Sequence, residues 1–274
     1  MQKSSFIIST DLDGTLLDHH SYSWQPASEA LEFVKQKGIP VVINTSKTAE
    51  EVISLQQGMG ITDPFIVENG SAVFIHNQDE RFDSAGLLEH GEWRYAILGE
   101  SRSNIITALQ FVRTEFNWTF SGFNDLSVDD VAELTGLPDA GAQQAKDRQF
   151  SEPLQWQDSD ANLQTFKVYL ADKKLTLLKG GRFYHVLGDT NKGSAIKWLQ
   201  QRMTTDQAAK LIALGDSDND LDMLSEADYP VLVKSPSHDF PQCSFQGLIK
   251  TKKLGPIGWN EEIIKLTKIN DGGS

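Results

Sequence analysis

Short apolar runs that end in polar clusters recur along this chain. Residues 6–8, 39–44, 64–67, 211–214 and 229–234 are too short for helices and too apolar for half-exposed strands, so they predict buried strands. Between them, apolar residues at three- and four-residue spacing predict helices. Ala30, Leu31, Phe33 and Val34 mark one over 27–36, and Ala195, Ile196 and Leu199 mark another after a turn at 188–193. A third runs through Gln57 from Thr48, which forms a capping box with Glu51. Residues 68–70 predict a turn with 71–75 returning as a hairpin strand, and 257–269 predict a closing helix. Strand and helix in alternation imply a parallel α/β sheet, whose ligands gather beyond the carboxyl ends of the strands.

From about residue 83 the rhythm changes. Residues 92–98 alternate like a strand, 103–115 and 128–134 read as helices, 136–142 as a loop, and 119–121, 165–171 and 183–187 as strand-like runs. Buried-strand patterning resumes only afterwards. The expected organisation is a core of 1–82 and 189–274 interrupted by an inserted α+β domain over 83–188.

The polar clusters at the strand ends carry the candidate chemistry. The first strand empties into Asp11, Leu12, Asp13 and Gly14. Two carboxylates confined together repel by about 4 kcal/mol at ~4 Å and an effective dielectric near 20, which calls for a positive partner. Oxygen donors without neighbouring His or Cys favour a hard cation such as Mg²⁺, although Asp-x-Asp alone also fits an acidic surface turn. The second strand ends at Thr45, Ser46 and Lys47, and the third at Asn69. Lys192 falls in the first turn of a helix, the end whose dipole disfavours cations, so a nearby carboxylate or phosphate is expected there. The fourth strand runs into Gly215 and then Asp216, Asp218, Asp220 and Asp222. Asp218 is explained as a helix cap or first-turn acid, whereas Asp216 at the strand mouth is the second carboxylate a metal at Asp11 would need.

Composition narrows the partners. With 274 residues, 39% hydrophobic, the chain suffices for one large core or two modest ones, and a formal charge of −13 argues against nucleic acid or an anionic membrane as partner. The single cysteine, Cys243, excludes an intrachain disulfide and fits a reducing compartment. No stretch approaches transmembrane length, and the expectation is a cytoplasmic protein with a frayed tail over 270–274. Lys250, Lys252, Lys253, His19 and His20 read as solvated faces, and the six tryptophans as core packing.

Four elements in order, Asp11-Leu-Asp-Gly-Thr15, Thr45, Lys192 and Gly215-Asp-Ser-Asp-Asn-Asp220, resemble the haloacid dehalogenase-like phosphohydrolases. The insertion resembles the cap of their Cof-like branch. Shorter features, Asn44-Thr-Ser-Lys-Thr48, Glu68-Asn-Gly70, Arg148-Gln-Phe-Ser-Glu-Pro153 and Gly180-Gly-Arg-Phe-Tyr-His185, are similar to the mannosyl-3-phosphoglycerate phosphatase family. The resemblance implies a Rossmann-like α/β core with an inserted α+β cap. It implies a nucleophile at Asp11 and a general acid and base at Asp13. Mg²⁺ would be held by the side chains of Asp11 and Asp216 and by the Asp13 carbonyl. Phosphate would meet Thr45 and Lys192, with Asn219 and Asp220 orienting Lys192 and the metal waters. Arg148, Ser151, Glu152, Arg182 and His185 in the cap, with Ser46, Lys47 and Asn69, are the candidates for binding the rest of the substrate, internal cap pairing being the alternative for the cap residues.

The reaction so implied releases phosphate from mannosyl-3-phosphoglycerate to leave mannosylglycerate, a step of compatible-solute biosynthesis. The glucosyl analogue, a broad sugar-phosphate phosphatase, a phosphomutase and a non-catalytic binding module are the competing readings. The last would demand that a protein carrying Asp11, Asp13, Lys192 and Asp216 release no phosphate with Mg²⁺.

Overall fold

The computed structural model describes residues 6–180, 182–204 and 209–271, and the side chains as far as residue 268. Part of the expected 270–274 tail and Gly181 of the 180–185 motif lie outside the described residues. The first half of the core is laid down as β1 (Phe6–Thr10), α1 (Ser28–Gln36), β2 (Val41–Asn44), α2 (Ala49–Met59), β3 (Phe65–Val67) and β4 (Ala72–His76), followed by β5 (Leu88–His90) and β6 (Trp93–Ile97). The chain then crosses to a second sheet. There it forms α3 (Arg102–Phe116), β7 (Phe120–Gly122), α4 (Val128–Thr135), α5 (Asp139–Lys146), β8 (Ser151–Trp156), α6 (Asp160–Asp172), β9 (Leu175–Lys179) and β10 (Tyr184–Gly188). It returns through α7 (Lys192–Gln200), β11 (Lys210–Gly215), α8 (Leu221–Ser225), β12 (Tyr229–Lys234), β13 (Ile249–Leu254) and α9 (Ile257–Asp271).

The large sheet has nine strands in the order β13-β12-β11-β1-β2-β3-β4-β6-β5. From β13 to β3 every pairing is parallel. β4, β6 and β5 close the far edge as an antiparallel hairpin system. Alternation along β1 distributes its side chains to two layers. Phe6 and Ile8 pack with Ala30, Leu31 and Val34 of α1 and with Trp259 and Ile263 of α9. Ile7 packs on the other face with Ala195, Ile196 and Leu199 of α7 and with Met223 and Leu224 of α8. A strand buried on both faces explains why 6–8 reads as an unbroken apolar run.

The inserted sheet is antiparallel, ordered β7-β8-β10-β9, and has its own core of Leu109, Val112, Leu154, Phe166, Leu170 and Val186. The structure differs from the expected elements at four places. The insertion does not begin at residue 83, because β5 and β6 belong to the large sheet, where β6 pairs with β4 from Ala72↔Ile97 to His76↔Trp93. Residues 165–171 are helical, since Leu163, Phe166 and Leu170 share one buried face at a spacing only a helix provides. Much of 136–142 belongs to α5, and 249–254, seen only as a lysine-rich face, is an edge strand with its lysines in solvent. Among the described residues no helix is long and apolar enough to cross a membrane.

Candidate active site

The parallel strands β1, β2, β3 and β11 deliver their carboxyl ends to one cleft of about 710 Å³ between the two sheets. Asp11 follows β1, its backbone N–H donating to Leu214 O of β11 at 2.9 Å. The chain then turns back on itself through Leu17 N–H to Leu12 O at 2.8 Å, anchored by buried Leu12, Leu16 and Leu17. Gly14 takes φ +83, and a Cβ there would lie 2.8 Å from Asp216 Oδ2, so only glycine lets the turn approach the second carboxylate.

Lys192 answers the question its position raised. Asn191 caps α7 and accepts the Ser194 N–H, while Asn44 Nδ2 donates to Lys192 O at 2.9 Å. The fully enclosed ammonium then donates to Asp11 Oδ1 at 2.6 Å and Asp220 Oδ1 at 2.7 Å. Burial opposes its charge, but Asp11 and Asp220 more than compensate and hold it above the ordinary lysine range. Asp11 too holds its proton more tightly than usual, here at the expense of its charged form. Burial, with Asp220 and Asp216 adding repulsion, pushes its carboxyl well above the usual range despite Lys192. Asp11 and Asp220 share one ammonium with the Asp216 carboxylate close beside them, a charge balance that favours a further cation.

Asp11, Asp216 and Asp220 bring carboxylate oxygens within 4.8 Å of one another. Asp220 is already spent: Oδ1 accepts from Lys192, and Oδ2 accepts the N–H groups of Asp216 and Ser217 at 3.0 and 3.1 Å. Asp11 and Asp216 are therefore the side chains that fit a hard cation, and Asp220 holds Lys192 and the strand-end loop in place. Asp216 also meets His238 Nε2 at 3.2 Å through Oδ2, a contact from the 235–248 loop that no local sequence pattern announced.

The other expected residues divide into those at the cleft and those behind it. Ser46, Lys47, Asn69, Arg148, Arg182 and His185 line it with Asp11, Asp13 and Asp216. Thr45 is buried at the end of β2, and its hydroxyl accepts the Lys47 N–H at 3.2 Å while keeping its own proton to donate. Lys47 Nζ sits 3.0 Å from Asp13 Oδ2 and 3.6 Å from Glu51. Asn69 accepts from Asn219 Nδ2 at 3.3 Å, and its own Nδ2 is buried without a partner among the described residues. Asn219 thus braces Asn69 and Ser217 instead of orienting Lys192, contrary to the expectation.

Ser151 and Glu152 are corrections. Adjacent residues on a strand face opposite ways, so β8 cannot offer both to one ligand. Ser151, fully buried, accepts from Arg148 Nε at 3.1 Å and donates to Glu68 Oε2 at 2.6 Å. Glu152, also fully buried, points away and accepts from Arg102 Nε at 2.8 Å and Asn124 N–H at 2.6 Å. Both support the cap rather than touch the cleft. His185 is half-buried, and desolvation, with Arg148 and Lys192 adding repulsion, lowers it to about 3, so it meets a ligand as a neutral imidazole. Arg182, exposed at the cleft edge, donates to Thr135 O. His19 lines the cleft as well, contrary to its reading as a solvated residue.

Glu68 escaped notice as a site residue, though its turn was legible. Glu68 and Asn69 take φ +51 and +60, and Gly70 a φ of +93 where a Cβ would lie 2.2 Å from Asn191 O. The turn binds three neighbours at once. Glu68 accepts the N–H groups of Gln149 and Phe150 from the cap at 2.9 and 3.2 Å, Asn69 meets Asn219, and Gly70 O accepts from Thr190 beside Lys192 at 2.9 Å. Arg148 completes the junction by donating from the cap to Ser46 O at 2.5 Å.

This architecture has known counterparts. A family model for haloacid dehalogenase-like hydrolases matches residues 8–92 and 144–240. A glucosyl-3-phosphoglycerate/mannosyl-3-phosphoglycerate phosphatase of Persephonella marina is 37% identical over 95% of this chain and 96% of its own length. One of the same name from Methanococcoides burtonii is 35% identical over 97% of this chain and 98% of its own. A solved phosphatase of the haloalkanoate dehalogenase superfamily from Bacteroides thetaiotaomicron shares the fold at a TM-score of 0.64 and 18% identity, over 97% of each chain. With the acids at the ends of β1 and β11 and the buried lysine between them, the chain belongs to the haloacid dehalogenase-like hydrolases, in the family of the glycosyl-3-phosphoglycerate phosphatases, and is a phosphoric monoester hydrolase.

Proposed function

We propose that this enzyme is a Mg²⁺-dependent phosphatase acting on mannosyl-3-phosphoglycerate, with the glucosyl epimer as the close alternative substrate. The observation that carries the reading is Arg148. It brings a guanidinium from the cap into the lining of the same cleft as Asp11 and Asp216, where, with Nε on Ser151 and Nη2 on Ser46 O, its Nη1 is left to meet an anion beside the phosphate. The full-length relatives named for both glycosyl-3-phosphoglycerates support the same class.

In this reading Asp11, fixed through Oδ1 by Lys192, attacks phosphorus, the P–O ester bond breaks, and Asp13 protonates the departing alkoxide. Asp13 then takes a proton from the water that cleaves the aspartyl-phosphate, which frees phosphate and restores Asp11. Lys192 and the Thr45 hydroxyl stabilise charge on the phosphoryl oxygens. Asp11, Asp216 and the Asp13 carbonyl would hold Mg²⁺, which when bound would supply neutralisation of negative charge at the site. The deciding experiment compares kcat/KM for phosphate release from mannosyl- and glucosyl-3-phosphoglycerate, 3-phosphoglycerate, mannose 6-phosphate and an aryl phosphate. A strong preference for the first two is expected, and flat or hexose-phosphate-biased activity would discard the substrate.

Two further outcomes follow from the geometry. Arg148→Ala is expected to lower kcat/KM for the glycosyl substrates by roughly 30-fold, the loss of a charge-assisted contact, and to affect an aryl phosphate by less than about 3-fold. Equal losses would place Arg148 in cap structure alone. Asp216 is pushed up to about 6, mainly by burial and then by Asp220, with His238 and Lys192 opposing. A cation must displace that proton. Mg²⁺ affinity measured by calorimetry is therefore expected to fall by roughly tenfold or more per pH unit below about pH 6, more steeply where Asp11 also takes up its proton. An affinity flat from about pH 5 to pH 8 would remove Asp216 from the ligand set.

A further inference from the structure

The loop over 18–23 is tied more firmly than a surface connection needs. Asp18 N–H donates to Ser23 O at 3.0 Å and Tyr22 N–H to Asp18 O at 2.9 Å. Asp18 Oδ1 accepts the Ser21 N–H and hydroxyl, both at 2.8 Å, and the His20 N–H at 3.2 Å. These closures hold Tyr22 at φ +54, in the left-handed region that a bulky side chain enters only when its surroundings impose it. The result is an aromatic ring that is 40% exposed and, among the described residues, part of no buried apolar cluster. A strained backbone that displays an apolar ring has no packing rationale.

Its position supplies one. Tyr22 lines the cleft, and Lys47 Nζ stands 5.6 Å from its ring centroid while also meeting Asp13 Oδ2 at 3.0 Å. Asp13 is the residue that protonates the leaving oxygen, so whatever that oxygen is attached to emerges beside Lys47 and Tyr22. The cap contributes apolar Leu137 and Phe183 to the same cleft.

We propose that Tyr22 is the platform on which the glycosyl part of the leaving group rests, its flat face against the C–H face of the pyranose. This makes Tyr22 a specificity residue for glycosylated over bare phosphoglycerate, and it rests on the phosphatase reading above. An aromatic ring suits the task because it offers a large rigid apolar surface at little conformational cost, while its hydroxyl edge tolerates water.

The test is steady-state kinetics of Tyr22→Ala, Tyr22→Leu and Tyr22→Phe on mannosyl- and glucosyl-3-phosphoglycerate beside 3-phosphoglycerate, with thermal unfolding of each variant. Removing the ring, by Ala or Leu, is expected to cost about 10-fold in kcat/KM on the glycosyl substrates, chiefly through KM. That loss should exceed the loss on 3-phosphoglycerate at least about fivefold, and Tyr22→Phe should stay within about twofold of wild type. Uniform losses across substrates would show Tyr22 acting through Lys47 and Asp13 and would overturn the platform, as would full activity without the ring. A wild-type enzyme that fails to prefer glycosyl substrates would instead remove the substrate reading, and the platform with it.

Discussion

Asp11→Asn is expected to lower kcat for every phosphomonoester by about four orders of magnitude or more, the scale of loss seen when a covalent nucleophile is removed. Rapid quenching with phosphate-labelled substrate should trap an acyl-phosphate in the wild type and none in the variant. The fold should survive, because asparagine is nearly isosteric and its carbonyl still accepts from Lys192 Nζ, now 2.6 Å from Asp11 Oδ1. Stability of the metal-free protein should even rise at pH values where Asp11 would be ionised. Burial raises the Asp11 carboxyl, so holding it ionised costs the metal-free protein stability once pH exceeds its folded pKa. A neutral amide removes that cost. Activity close to wild type would take Asp11 out of the nucleophile role, and a collapse of the unfolding temperature would assign the loss to folding.

The same comparison separates the site from its scaffold. The strain sits in the turn at Glu68, Asn69 and Gly70, where three successive positive φ angles are held by contacts to the cap, to Asn219 and to the start of α7. Arg148 reaches Ser46 O from the opposite side. Cap and core are thereby fastened through one turn that also meets Thr190, two residues before Lys192.

How much of this was legible follows from where each signal is written. The strand-end acids and Lys192 were readable because buried parallel strands are continuous apolar runs, and whatever polar residue ends them must face the cleft. Lys192 stood out because it opposed its helix dipole. The cap was less legible. Residues 165–171 carry Thr165, Phe166, Val168 and Tyr169, whose strand propensity outweighed the wider spacing of Leu163, Phe166 and Leu170 that buries one helical face. α5 buries only Ala142 and Ala145, too little apolar surface to mark a helix. β5 and β6 were assigned to the insertion because antiparallel edge strands lack the two-sided burial that identifies the central ones. Ser151 and Glu152 were paired by motif, whereas strand alternation alone forbids both from facing one ligand. His238 and Tyr22 come from loops with no periodicity, and their placement depends on long-range packing.

Lys192→Met tests the charge balance of the whole site. Activity is expected to fall about 10³-fold through loss of the cation that stabilises the phosphoryl charge, and the stability effect is the more diagnostic. With the ammonium gone, Asp11 and Asp220 lose their shared donor in a fully enclosed position, a change worth about 3–5 kcal/mol for a broken buried pair. The sign with pH is fixed by direction. Lys192 is raised in the folded state, so its stabilising contribution is fully present below the ordinary lysine range and fades only in strong alkali. Asp216 is raised to about 6 and Asp11 is raised too, so without Lys192 their ionisation destabilises the fold as pH climbs. Denaturant unfolding of the metal-free variant should show a deficit that is small near about pH 5 and largest near about pH 8, and added Mg²⁺ should recover part of it by supplying charge to the same carboxylates. A deficit independent of both pH and Mg²⁺ would mean that Lys192 stabilises the protein by packing its methylenes, with its charge incidental.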